Sequence, residues 1–135
     1  MQVIIYSQDN GQMAICIPTG ELSIDEVLAK DCPEGAIIVD SESLPNEHYN
    51  FFNAWELNGS TVNINLAKAK EVTKIRLRQE REPLLAAQDV LYMRATEASQ
   101  DTTAIVAEKQ RLRDITKLAD DATTLDQLKA LKVEG

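Results

Sequence analysis

A chain of 135 residues that is 44% apolar is long enough to bury one core or two very small ones, and it carries a net charge of −8. An acidic balance of that size argues against nonspecific nucleic-acid binding, because phosphates would be repelled. No apolar run approaches the ~20 residues needed to span a bilayer, so no membrane partner is expected.

The charge is also uneven. Residues 1–64 hold ten acids against one base, whereas residues 65–135 hold twelve acids against thirteen bases. The change at Ile64-Asn65 marks an expected boundary between a unit at 1–64 and a unit at 65–135. The opening Met1-Gln2-Val3-Ile4-Ile5-Tyr6 lacks the basic lead and long apolar core of a signal peptide, which points to the cytoplasm.

In chain order, the β-branched run Gln2 to Ser7 suits a strand, Asp9-Asn10-Gly11 a sharp turn, and Met13 to Ile17 the return strand of a hairpin. Pro18-Thr19-Gly20 ends it. Ser23-Ile24-Asp25-Glu26 reads as a capping box opening a helix from Ile24 to about Lys30, with Ile24, Val27 and Leu28 inward. Cys32-Pro33-Glu34-Gly35 stops that helix. Ala36-Ile37-Ile38-Val39 is short and apolar enough for a central strand. Asp40 to Asn50 reads as a polar connection. Asn58-Gly59, between two alternating runs, signals a second hairpin, since both turn positions tolerate positive φ.

Leu66 to Ala119 reads as helix with a short break near Ser99-Gln100-Asp101, and Asn65 is placed to cap it. Leu66, Ala69, Leu77, Leu84, Ala87, Leu91, Ala95 and Ala98 share one face, and Ile105, Leu112, Ile115 and Ala119 make a stripe on the second helix. Two such helices joined by a tight polar connection fold back as an antiparallel pair. Pro83 either kinks the first helix or starts a new one; the unbroken phase of the leucines favours the kink. Asp120 to Thr123 breaks the second helix. Thr124-Leu125-Asp126-Gln127 opens a short further helix with Leu125, Leu128 and Leu131 inward. The expected class is therefore α+β: a small α+β unit of β-hairpins and one short helix, then a helical hairpin with a short terminal helix.

The first long helix carries a second apolar line of Val72, Ile75, Ala86, Val90 and Met93, opposite the leucines. A two-helix hairpin is too thin to hide both faces. The second face is covered either by the chain's own elements or by another protein chain, a second copy or a client. These five residues are the candidate protein-interaction face. The basic run Lys68, Lys70, Lys74, Arg76, Arg78 and Arg81 has no interleaved aromatic residue on which bases could stack. It reads as a solvated, ion-paired helix face or as a mate for the acidic first unit.

No residues carry recognisable catalysis. There is no Gly-rich phosphate loop, HExxH or nucleophile elbow. His48, the one histidine, lies in the polar connection and reads as a surface residue. Cys16 and Cys32 are too far apart for a CxxC site and read as free thiols in a reducing compartment. Phe51, Phe52 and Trp55 read as core of the small unit. No enzyme activity, cofactor or metal is expected.

Pro18-Thr19-Gly20-Glu21-Leu22, Pro33-Glu34-Gly35, Phe51-Phe52-Asn53-Ala54-Trp55-Glu56 and Asn65-Leu66-Ala67-Lys68-Ala69-Lys70-Glu71 fall in the order seen in small proteins of tailed bacteriophages and prophages. The run from Arg76 to Leu85 and Lys109-Gln110-Arg111-Leu112-Arg113-Asp114 extend the pattern. The chain resembles phage tail assembly chaperones and tail-fibre assembly proteins. That resemblance implies a non-enzymatic protein that helps a tail or tail-fibre protein fold or oligomerise in the cytoplasm of the infected host. The alternative is a structural component retained at the virion tail. The partners it implies are a tail or tail-fibre protein and, through the helical unit, further copies of this chain. A reading of another class, an enzyme or nucleic-acid regulator, would need a cleft with converging polar groups or nucleic-acid binding at physiological salt.

Overall fold

The computed structural model describes residues 1–134. Its class is α+β, and it divides into two compact units, Met1–Ala69 and the chain from Lys70 onward. The division falls five residues beyond Ile64, because the first turn of the long helix belongs to the first unit. Asn65 ties that turn down. Its backbone N–H donates to the Ala54 carbonyl at 2.9 Å, and its Oδ1 accepts from the Lys68 N–H at 3.1 Å. Lys68 in turn reaches Glu56 at 2.9 Å.

The first unit contains β1 (Gln2–Ser7), β2 (Met13–Cys16), α1 (Ile24–Asp31), β3 (Ile37–Asp40), β4 (Trp55–Asn58) and β5 (Thr61–Ile64). The first three strands form a sheet in the order β2-β1-β3, every pair antiparallel, with Ile5 opposite both Ile15 and Ile37. β3 therefore lies at an edge, and β1 takes the central place expected for β3. β2 and β3 run parallel with β1 between them, so α1 carries the chain from one edge to the other. Only β1 has buried apolar residues on both faces: Val3 and Ile5 on one, Ile4 on the other.

The period of two sorts the rest. Val3, Ile5 and Met13, with Leu44 and Trp55, make one buried cluster, flanked by half-buried Ile15, Ile37, Val39, Phe52, Leu57, Val62 and Ile64. The β4–β5 hairpin turns at Asn58-Gly59, with Gly59 at φ +64°, and supplies the opposing layer. α1 packs on β1 and β3. Ser23 Oγ accepts from the Glu26 N–H at 3.3 Å, but the Glu26 carboxylate meets the Ser23 hydroxyl rather than its backbone N–H. Val27 is buried, and Ile24 and Leu28 are half-buried. The expected polar connection is not irregular: Ser41–Ser43 and Asn46–Ala54 form 3₁₀ turns, the second broken at His48 and Phe51.

The long helix α2 runs Leu66–Glu97 without interruption through Pro83. Gln79, Glu82 and Pro83 all lie on the exposed side, so the carbonyl that Pro83 leaves unbonded is open to water. α2 ends in a Schellman motif, with Gln100 N–H on the Ala95 carbonyl at 2.8 Å and Ser99 N–H on Thr96 at 3.1 Å. Ser99 takes the left-handed position at φ +56°. Next come α3 (Thr103–Asp114), α4 (Lys117–Asp121) and α5 (Leu125–Ala130). α3 runs antiparallel to α2: Lys109 meets Asp89 at 2.7 Å, and Arg81 reaches the carbonyls of Leu112 and Arg113. The second helix thus stops at Asp114 rather than continuing to Ala119.

Leu77, Ile115 and Val133 form the buried cluster of the second unit, with Leu84 and Leu131 against it. The leucine face is buried along its first half and at Ala95, but Ala87, Leu91 and Ala98 are exposed. The cause is length: the segments after α3 turn back to cover the first half of α2, leaving only α3 beside the distal half. Thr73, a buried polar residue on the same face, escapes a reading by apolar periodicity.

Candidate protein-interaction surface

The expected face lies on a single uninterrupted helix. Val72 is half-buried and Ala86 exposed, while Ile75 is 52%, Val90 41% and Met93 57% exposed. Val72 and Ile75 lie on the proximal turns, and Ala86, Val90 and Met93 on the distal ones. Around the distal turns the apolar exposure continues, with Leu91, Tyr92 and Val106 also open. Lys109 holds one flank in place: its Nζ sits 5.0 Å above the Tyr92 ring while pairing with Asp89. The distal hairpin is thus apolar on several sides, with an ion pair joining its two helices. Such a surface gains by shedding water against another apolar surface.

The basic run is ion-paired as expected, Lys74 with Glu71 at 3.4 Å, Arg76 with Glu80 at 3.1 Å and Lys68 with Glu56 at 2.9 Å, and three of its cations have a further use. Lys70 Nζ donates to the Asp120 carbonyl at 2.9 Å, within the last turn of α4. Arg76 Nη2 donates to Leu128 at 3.2 Å and Leu131 at 2.8 Å, at the end of α5. Arg81 Nη1 donates to Leu112 at 3.3 Å and Arg113 at 2.8 Å, at the end of α3. Three cations on one helix therefore close the C-termini of three others, where unbonded carbonyls and the negative end of the helix dipole collect. Lys74 pairs with Asp120 at 2.6 Å, a hydrogen bond that raises its pKa. Arg111 Nη2 holds the Val133 carbonyl at 2.9 Å. These bonds join residues up to 55 positions apart, and no local pattern announces them.

In the first unit Trp55 is fully buried, and its Nε1 donates to the His48 carbonyl at 3.2 Å. Phe52 meets its ring edge-on at 5.1 Å. Tyr49, not singled out in the sequence, stacks on Phe52 at 5.7 Å from the solvent side. His48 is half-buried rather than a surface residue. Cys16 and Cys32 are free, half-buried thiols. The Cys32 thiol is pushed up in pKa by burial and then by the neighbouring Cys16. Among the described residues no three His, Cys, Asp or Glu side chains gather as metal ligands, and no helix is long and apolar enough to cross a membrane.

Comparison of the chain with protein-family models, with curated proteins and with solved structures finds no match.

Proposed function

We propose that this protein is a non-enzymatic assembly factor that helps a phage tail or tail-fibre protein fold or assemble, working in the host cytoplasm through the outer face of α2. One observation carries this most directly: Ile75, Val90 and Met93 stand open on a helix whose other face is anchored by core packing and capping cations. An apolar face held open on a rigid helix suits a protein that associates with another chain, a client or a second copy. The resemblance of its ordered short motifs to those of tail and tail-fibre assembly proteins is what supports this class of partner.

The test pairs Val90→Asp with Met93→Glu. Both side chains are exposed in the monomer, so melting should stay close to wild type. Association, read as light-scattering mass and as co-purification with the tail or tail-fibre protein from infected cells, should be lost, because the new charges would have to be buried without partners. Unfolding as severe as that of Leu77→Ala would place this face in the core and refute the proposal. Mass spectrometry of purified particles separates the two roles: an assembly chaperone is absent from them, whereas a structural component is present in fixed copy number.

A further inference from the structure

β2 is an edge strand. Beyond it the sheet has no further member, and among the described residues no hydrogen bond reaches its outward amides and carbonyls. A cleft of about 460 Å³ opens over the inner face of the sheet and reaches β2: Met13, Ala14, Ile15 and Ile17 line it together with Val3, Leu44, Tyr49 and Phe52. Side chains alternate across a strand. Met13, Ile15 and Ile17 share one face, and Ala14 between them lines the cleft as well, so the cleft reaches the backbone of β2. The stacked rings of Tyr49 and Phe52 supply apolar lining from another part of the chain. Gln12 Nε2 donates to Asn53 Oδ1 at 2.8 Å, tying the start of β2 to the aromatic turn. Ile17 is 61% and Tyr49 63% exposed, so both are open to a docked chain.

We propose that this cleft is a strand-docking site. An extended segment of another polypeptide pairs with the open edge of β2 as a fourth strand and seats alternate apolar side chains against Ile15, Ile17, Tyr49 and Phe52. The occupant is basic at its ends. Residues 1–64 carry ten acids and one base, and Asp9, Glu42 and Glu47 each adjoin a residue that lines the cleft. A lysine- or arginine-flanked strand is steered in, and an acidic one is repelled. An extended ligand fits better than a helix, because only an extended backbone can satisfy the unpaired groups of the edge, while pockets for alternate side chains confer selectivity. The site lies wholly in the first unit and is independent of the α2 face.

The test uses the full chain and a short synthetic peptide alternating valine and threonine between terminal lysines. Titration followed by NMR should show saturable binding, slowed hydrogen exchange at β2 amides, and shifts of the Tyr49 and Phe52 ring resonances. Ile17→Ser and Tyr49→Ser, each at an exposed position, should stay folded in melting yet weaken binding by about tenfold or more. The same peptide with glutamate ends should bind at least about tenfold more weakly at low salt. Val90→Asp should bind it like wild type, which separates this site from the α2 face. Absence of saturable binding, binding without protection of β2 amides, equal binding of the glutamate peptide, or unchanged affinity in both folded cleft variants would each overturn the proposal.

Discussion

Removing the Arg81 guanidinium should destabilise the protein although the residue touches no ligand and lies in a run that reads as surface. Its Nη1 holds the Leu112 and Arg113 carbonyls, at 3.3 and 2.8 Å, where α3 ends. A hydrogen bond from a charged donor contributes ~1.5–3 kcal/mol, and a cation at a helix C-terminus a further ~0.3–1 kcal/mol. The 3.3 Å contact is long and shares its nitrogen with the shorter one, so the two together amount to little more than one good bond. Against this, Nε is buried without a partner and lowers the yield. Arg81→Ala should therefore cost about 1–3 kcal/mol, a sizeable part of the ~5–15 kcal/mol that holds a domain folded. Arg81→Met keeps most of the apolar stem and should lose only the polar part. Arg81→Lys keeps the charge but not the planar fork, and should fall between wild type and Arg81→Met. Urea unfolding followed by circular dichroism, compared at constant m, measures all three; Arg78→Met, at an exposed position on the same helix, is the control and should stay within ~0.5 kcal/mol. If Arg81→Met matches that control, water serves the α3 carbonyls as well as the guanidinium does, and the capping account fails.

Leu77→Ala, at a fully buried position, should cost about 3–5 kcal/mol in the same assay, whereas Leu91→Ala, at a position 46% exposed, should cost under ~1 kcal/mol; equal losses would mean that the distal hairpin is covered. Ser99→Gly should stabilise by about 0.5–1 kcal/mol, because relief of left-handed strain outweighs the extra freedom of glycine in the unfolded chain, and a lower melting temperature would contradict the strain. The pH profile should be a plateau with two shoulders. Glu56, bonded by Lys68 and Asn65, and Asp101, bonded by Thr103, have lowered pKa values, so their contribution is present above their ordinary values of 4.5 and 3.8 and is lost as pH falls through the folded ones. Lys74 is raised, so its contribution is full below its ordinary 10.5 and is lost as pH climbs through the folded value; Lys74→Met in thermal melts across pH should remove part of the alkaline shoulder and leave the acid one.

What could be read from the residues was local. The two hairpin turns, the Ser23 and Thr124 caps, the Asn65 cap and the continuity of α2 through Pro83 each depend on a few neighbouring side chains, and each stands as expected. The apolar line of Ile75, Val90 and Met93 was legible for the same reason, since periodicity assigns a face without knowing its partner; that it stands open was not. Strand order was not. β3 is as apolar as a central strand, yet β1 alone is paired along both edges, a choice made by how α1 carries the chain across the sheet. Nor could the end of α3 be read locally. The carbonyls that a longer helix would use go instead to Arg81, some thirty residues earlier in the chain, and the helix stops there. The same long-range bonding turns a basic run into three helix caps and leaves Leu91 exposed while Thr73 is buried. Turns, caps and faces follow from bonds between near neighbours, whereas which face is covered, and which charge is spent inside the fold, is decided only when distant segments meet.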